Sequence, residues 1–178
     1  TDTLGNQKQT NYALRANMTE AEFIQEVTDG LLPPPGYFGM NVAMNKKGYD
    51  SIDEVMKRGL TPLSVESFDT LLQDAEDILF LDTRNSAEFA KYFIRGTISI
   101  GLEGQFAPWV GALIPNVNQK IALVTEIGKE EETVKRLSRV GYDQVIGYLD
   151  GGIDSWINNK MPIDHIARLS AEDFENEL

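Results

Sequence analysis

The residues best placed for chemistry follow residues 120–124, an apolar segment with the character of a buried strand. The chain continues with Thr125, Glu126, Ile127, Gly128, Lys129 and Glu130. These six residues lead into an amphipathic helix predicted over residues 129–140. A loop of this kind can bind an anion, because its amides turn inward and the helix N-terminus carries positive potential. Here, however, Glu126 and the glutamates at 130–132 outnumber Lys129, so we expect the loop to repel an anion.

A second candidate pair lies at the end of the preceding predicted strand. Asp82 and Arg84 directly follow residues 77–81, another continuous apolar segment. We favour a structural ion pair between them. The alternative is an enzyme site in which Asp82 and Glu126 divide the roles of acid and base. The sequence gives this alternative little support, because no histidine or metal ligand accompanies the two carboxylates.

The composition excludes several kinds of site from this chain. It has 178 residues, no cysteine and a single histidine, His165. Without cysteine there is no disulfide, thiolate nucleophile, iron–sulfur cluster or sulfur-ligated zinc, and one histidine cannot furnish a histidine-rich metal site. We therefore expect no metal or cofactor in this chain, and a solvated or packed imidazole at His165. The lack of disulfides fits a reducing compartment, and we predict a cytoplasmic location.

The charge balance narrows the choice of partners. Sixteen basic residues stand against 28 acidic ones, which gives a formal net charge of -12. Nucleic acids and anionic membranes attract positive fields, so neither is expected as a partner. No apolar segment approaches the length of a membrane span, and no signal peptide is visible. Because the chain opens at Thr1 rather than Met, we interpret it as a processed product or a piece of a longer protein.

From residue 62 onward, the pattern predicts alternating strands and helices. Strands are expected over residues 77–81, 97–100, 120–124 and 144–149. Helices are expected after Ser64 and over residues 86–92, 105–113, 129–140 and 153–158. We expect Trp109 and Trp156 to be packed helix residues, and Gly151 and Gly152 to form a tight turn. The predicted class is α/β, with a mainly parallel central sheet and helices on both faces.

Residues 1–60 form a different kind of segment, which we call the N-terminal arm. Thr19 and Glu22 have capping-box spacing and predict a helix over residues 20–29, whereas the prolines predict extended chain over residues 31–38. A short helix is expected over residues 51–58. The arm has little core of its own, so we expect it to pack on another structure. The predicted domains are residues 1–60, residues 61–163 and a linker with a following helix, 164–178.

One internal similarity bears on the domain order. The sequence LSVESF at residues 63–68 is echoed by LSAEDF at residues 169–174. Two unrelated capped helix starts would share this chemistry. We favour a second copy of the same unit that begins near Ser170, with the chain stopping within its first helix.

The motifs together resemble those of a rhodanese domain over about residues 62–162. The resemblance rests on Asp82-Thr83-Arg84, Arg95-Gly96, the loop at Thr125 and the ending Gly151-Gly152 followed by Trp156. It implies the rhodanese fold, with Asp82, Arg84, Gly151, Gly152 and Trp156 as structural motif residues. It also implies a persulfide-carrying cysteine as the first loop residue, where this chain has Thr125. A threonine hydroxyl cannot hold a sulfane sulfur, so we predict that residues 125–130 are a degenerate active-site loop without catalysis.

The arm resembles the C-terminal tail of a metallo-β-lactamase-fold domain, through residues 10–14, 32–35 and 41–45. The relatives in question are persulfide dioxygenases and hydroxyacylglutathione hydrolases that carry rhodanese units downstream. The resemblance implies a metallo-β-lactamase domain with iron or zinc before this chain and an active rhodanese domain after it. The implied partners are these two flanking domains, and a homodimer is consistent with the same reading.

Two functional hypotheses follow for the chain itself. The favoured one is a non-catalytic rhodanese homology domain that serves as a scaffold in a multidomain persulfide-handling enzyme. The alternative is a regulatory module in which the altered loop, residues 125–130, binds a small ligand or a cationic peptide.

Overall fold

The computed structural model describes residues 2–14, 17–31, 34, 38–48, 51–167, 169 and 174–175. Within residues 38–48, the side chains at 40, 41, 44 and 47 lie outside the description. The chain divides into two compact units, Thr1–Pro34 and Pro35–Leu178. The echo predicted to begin near Ser170 falls mostly outside the described residues, and so does most of the predicted extended stretch at 31–38.

The first unit contains helices α1 (Leu4–Thr10) and α2 (Glu20–Thr28), joined through a 3-10 turn at Tyr12–Leu14. The predicted capping box is confirmed, since Glu22 N–H donates to the Thr19 hydroxyl and Thr19 N–H donates to the Glu22 carboxylate. Helix α1 was not predicted, because polar caps rather than an apolar stripe mark its start: the Thr3 hydroxyl accepts from Asn6 N–H at 3.2 Å. No described residue of this unit is buried.

The second unit alternates strands and helices, as the pattern predicted. Its helices are α3 (Phe38–Lys47), α4 (Ile52–Gly59), α5 (Val65–Asp74), α6 (Ser86–Lys91), α7 (Phe106–Leu113), α8 (Glu130–Ser138) and α9 (Gly152–Asn158). Its strands are β1 (Pro62–Leu63), β2 (Ile78–Asp82), β3 (Thr97–Ser99), β4 (Lys120–Val124) and β5 (Val145–Leu149). Phe38, predicted to be extended, instead begins α3.

The five strands form one parallel sheet in the order β1-β5-β4-β2-β3, which confirms the α/β class. The register places Asp82 beside Val124 of β4 and beside Ser99 of β3. The ends of β2, β3 and β4 therefore meet at one edge of the sheet. Strand β1 was not predicted, because two residues are too few to show a period; it pairs Pro62 with Tyr148.

The core lies on both faces of the sheet in two apolar clusters. Trp156 belongs to one of them at 1% exposure, and its indole N–H donates to the Pro162 carbonyl at 2.8 Å, which confirms the predicted packing. The same prediction for Trp109 is wrong, because this side chain is 58% exposed. Helix α7 turns Phe106 and Val110 inward instead.

Parts of the chain outside the alternating pattern also pack within the second unit. Helix α4 buries Val55, and Arg58 donates to the Asp143 carbonyl at 2.6 Å. Beyond α9, Asp164 forms a bridge with Phe93, and its neighbour His165 is exposed. The predicted domain boundaries at 60 and 163 stay predictions.

Across the described residues, no helix combines the length and the apolar character needed to cross a bilayer.

Candidate functional site

The loop at residues 125–130 lies where the sequence placed it, between β4 and α8 at the carboxyl edge of the sheet. Thr125 is almost completely buried, with 3% exposure, whereas Ile127 projects into solvent at 72%. Gly128 has a φ of +84°, a left-handed conformation that glycine adopts without strain. The loop thus presents an apolar tip at Ile127 and buries the side chain of Thr125.

Several amides of the predicted anion cradle already have partners in the chain. Gly128 N–H donates to the Glu130 carboxylate at 3.1 Å, and Lys129 N–H donates to the Glu126 carbonyl at 3.0 Å. The first helical turn follows, with Thr133 N–H donating to the Lys129 carbonyl at 2.9 Å. A carboxylate of the loop itself therefore occupies an amide that an anionic ligand would need.

The charges around the loop are dominated by carboxylates. Lys129 Nζ lies 2.9 Å from the Glu132 carboxylate, and this hydrogen bond and charge raise the pKa of Lys129, with smaller contributions from Glu126 and Glu103. Glu132 also pairs with Arg136 at 2.8 Å. The loop's own cation is thus already paired, which leaves the carboxylates to set the local potential.

Carboxylates near the loop also act on the phenol of Tyr148. The pKa of Tyr148 is raised first by burial and then by the negative charges of Glu130 and Asp150. Both effects disfavour a phenolate, because a half-buried anion near two carboxylates is poorly stabilised. The surroundings of residues 125–130 therefore disfavour further negative charge.

The predicted Gly151–Gly152 turn supports the loop by close backbone contact. Gly151 and Gly152 have φ values of +69° and +58°, as a left-handed turn requires. A Cβ at position 152 would lie only 2.9 Å from the Thr125 carbonyl oxygen. Any residue other than glycine at this position would therefore push the loop away, so the glycine pair supports the loop's geometry.

Asp82 and Arg84 form the predicted ion pair in the interior. Arg84 Nη2 lies 2.6 Å from Asp82 Oδ2, and Arg84 Nε and the Arg84 backbone N–H each donate to Asp82 Oδ1 at 3.0 Å. Burial raises the pKa of the Asp82 carboxyl, and the hydrogen bonds and charge of Arg84 oppose that rise. Arg84 also donates to the Tyr92 carbonyl at 2.8 Å, so the pair connects the strand end to the segment after α6.

Among the described residues, the cavity that Glu126 lines does not include Asp82. A cavity of about 130 Å³ beside the loop is lined by Thr83, Asn85, Leu102, Glu103, Glu126, Lys129, Glu132 and Arg136. Asp82 is turned toward Arg84 and is absent from this lining. Sequence patterns did not identify Glu103 and Asn85 as site residues, because they lie in the loops after β3 and β2 and belong to no motif.

No three histidine or carboxylate side chains come together as a metal-ligand group among the described residues.

Comparisons with known proteins agree with this architecture. The family model for the rhodanese-like domain matches residues 64–159. No curated protein sequence is significantly similar to the chain.

Three solved structures show how far the similarity extends. A metallo-beta-lactamase from Staphylococcus aureus subsp. aureus COL has 26% identity and a TM-score of 0.61, over 83% of this chain and 40% of its own. The Alr3790 protein from Anabaena sp. has 16% identity and a TM-score of 0.51, over 65% of this chain and 99% of its own. A thiosulfate sulfurtransferase from Pseudomonas aeruginosa has 17% identity and a TM-score of 0.51, over 79% of this chain and 26% of its own.

The described chain thus spans less than half the length of the metallo-beta-lactamase and of the sulfurtransferase that it resembles. The family model matches more than half of the chain, at residues 64–159. The matched region contains most of the parallel sheet, the loop after β4 and the glycine turn. This chain therefore belongs to the rhodanese-like domain family.

Proposed function

We propose that this chain is a non-catalytic rhodanese homology domain that acts as a scaffold within a larger persulfide-handling enzyme of sulfur metabolism. The observation that carries the proposal is the buried Thr125 at the first position of the active-site loop. A persulfide needs a thiol to carry its sulfur, and this chain contains no cysteine. The hydrogen bond from Gly128 N–H to the Glu130 carboxylate also supports the absence of sulfur transfer, because this amide is then not available to an anionic substrate.

The similarity to the metallo-beta-lactamase supports the proposed domain context. That similarity covers 83% of this chain, whereas the rhodanese-like match at residues 64–159 is little more than half of it. The likeness therefore extends into residues outside the rhodanese-like region. We place a metallo-β-lactamase domain with iron or zinc before this chain and an active rhodanese domain after it, in a cytoplasmic protein of the persulfide dioxygenase or hydroxyacylglutathione hydrolase type.

The purified chain tests the absence of catalysis directly. With thiosulfate as donor and cyanide as acceptor, we expect no sulfur transfer above the rate without protein. Circular dichroism and cooperative thermal unfolding would show that the assayed chain is folded. Sulfur transfer that scales with protein concentration would contradict the proposal.

The intact mass of the native polypeptide tests the scaffold context. Pull-down from source cells with an antibody to this chain should recover a polypeptide of about three times the mass of 19.9 kDa, as three domains of ordinary size would give. A native mass near 19.9 kDa would overturn the multidomain proposal.

The loop also supports a second candidate, a regulatory module that binds a cationic ligand at residues 125–130. The supporting observation is the raised pKa of Lys129, which reports the carboxylates of Glu132, Glu126 and Glu103 around one ammonium group. A ligand that binds only the folded state raises the melting temperature. A thermal-shift series with spermidine, magnesium and a lysine-rich peptide should then show stabilisation, and no shift with any of them would contradict this candidate.

A further inference from the structure

Helix α7 has a sequence that is apolar on every side. Its eight residues are FAPWVGAL, without a charged or hydrogen-bonding side chain other than the indole. A helix of this composition is normally covered on all faces. Here Phe106 and Val110 are buried, but Trp109 is 58% exposed and Leu113 is 51% exposed. Because Trp109 and Leu113 are four residues apart, they lie side by side on the outer face.

This outer face forms one wall of a groove of about 440 Å³, which we call the Trp109 groove. Its lining consists of Asn85, Ser86, Ser99, Ile100, Gly101, Glu103, Gln105, Trp109 and Leu113. An apolar wall with a few polar groups opposite is the usual composition of a binding site. The groove is separate from the loop at residues 125–130, since none of those residues lines it.

The charges at the groove are negative. Among the described lining residues only Glu103 is charged, and with Asn85 it also lines the adjoining cavity. That cavity contains two further carboxylates, Glu126 and Glu132, and two cations, Lys129 and Arg136. Neither Glu103 nor Glu126 forms an ion pair within the part of the chain that the structure describes. A cation near these carboxylates would gain attraction, and an indole face adds a further preference for positive charge.

We propose that the Trp109 groove docks a basic polypeptide segment of a partner protein, with a large apolar side chain against Trp109 and Leu113 and a Lys or Arg near Glu103. Charge complementarity selects this occupant over a second copy of the chain, because each copy carries a net charge of -12 and the same Glu103. This inference goes beyond the scaffold proposal, and neither the sulfur-transfer assay nor the native mass depends on it.

The probes are three capped hexapeptides that separate apolar contact from charge. The first alternates leucine and lysine, the second replaces lysine by glutamate, and the third replaces leucine by serine. Binding is followed by amide and indole NMR shifts in the full chain. Trp109 reports the groove, while the buried Trp156, whose indole N–H is bonded to the Pro162 carbonyl, serves as an internal reference. We expect the leucine–lysine peptide to bind at least about tenfold more tightly than either control.

Matched variants locate the binding on the chain. Trp109→Ala should weaken it at least about tenfold, since a central aromatic side chain dominates such contacts. Leu113→Ser should weaken it less, and Glu103→Gln by about two- to fivefold. The controls are Leu4→Ser and Glu76→Gln, which remove an exposed leucine in α1 and an exposed carboxylate before β2. Both controls should bind as the parent chain does, and thermal unfolding confirms that each variant is folded.

Four results would overturn the proposal. The first is equal binding of the leucine–glutamate peptide, and the second is peptide-induced shifts confined to residues outside the groove. The third is self-association of the chain at micromolar concentration that Trp109→Ala abolishes, because a second copy would then be the occupant. The fourth is a Trp109 that acrylamide fails to quench in the free chain, which would mean that the chain itself covers the groove.

Discussion

Two neighbouring strand ends of this sheet use their charges in opposite ways. At the end of β2, Asp82 and Arg84 are buried and bonded to each other, and Arg84 also donates to the Tyr92 carbonyl. At the end of β4, the loop at residues 125–130 buries Thr125 and exposes Glu126 and Ile127, while Glu130 is half-buried. Both segments lie at the same edge of the same sheet, so position in the fold does not explain the difference.

This contrast indicates that the buried pair Asp82–Arg84 stabilises the fold, whereas the loop at residues 125–130 does so less. A buried ion pair loses most of its value when one partner is removed, whereas exposed charges are weakened by solvent and salt. We therefore expect changes at the β2 end to act on stability, and changes in the loop to act mainly on local potential.

Replacing Asp82 should have the largest effect on stability. Asp82→Asn leaves the Arg84 charge buried without its counter-ion, which we expect to lower the free energy of unfolding by about 3 to 5 kcal/mol. Urea denaturation measures the loss. The control is Asp77→Asn, since Asp77 pairs with Lys120 at 2.6 Å but in an exposed position, with side-chain exposures of 66% and 51%. Equal losses in the two variants would show that the interior pair has no special role.

The contact beneath the loop gives the next effect. Gly152→Ala combines a left-handed φ of +58° with a Cβ only 2.9 Å from the Thr125 carbonyl oxygen, so we expect a loss of about 2 to 3 kcal/mol. Gly128→Ala is the matched control, because its φ of +84° carries the same kind of strain without any atom near the new Cβ. It should cost only about 1 kcal/mol. Similar melting temperatures for the two variants would contradict the proposed close packing of turn and loop.

A thiol introduced at the loop would report its potential. Burial and the adjacent Glu126 carboxylate should hold the pKa of the Thr125→Cys thiol above the ordinary value of about 8.5. Adding Glu126→Gln should lower that pKa by less than about one unit, whereas adding Glu76→Gln should leave it unchanged. Because the chain has no other cysteine, ultraviolet absorbance of the thiolate measures this one group. A thiol pKa that Glu126→Gln does not lower would show that the loop is not negative.

The smallest effect on stability is expected at Asp164, in the segment after α9 that pairs with Phe93 and Arg95. The Arg95 guanidinium, 2.9 Å from Asp164, lowers the pKa of that carboxyl, and a hydrogen bond from His165 N–H adds to the effect. A carboxyl whose pKa is lower in the folded state contributes stability above its unfolded pKa and loses that contribution as the pH falls through the folded value. The parent chain should therefore be slightly more stable than Asp164→Asn near pH 6, and this advantage should vanish well below about pH 4. A stability difference that does not change with pH would contradict this assignment.

Sequence patterns predicted the strands well, because buried parallel strands are short continuous apolar segments bounded by turn residues. Residues 120–124 appear unchanged as β4, and residues 77–81 differ from β2 by one position. Polar capping was also readable where it followed a known spacing, as at Thr19. Helix α1 and strand β1 were not predicted, because the helix lacks an apolar stripe and the strand is only two residues long.

By itself, the sequence determined the α/β class, the place of the loop at Thr125 and the lack of any thiol to carry sulfur, since residue type and local spacing settle each of these. Only the tertiary structure decided that Glu103 lies beside the loop's carboxylates and that Trp109 faces solvent while Trp156 is buried. Helix α7 is apolar on every side, so its composition cannot indicate which face turns inward. The packing of Phe106 and Val110 into the core makes that choice, and it depends on residues far apart in the chain.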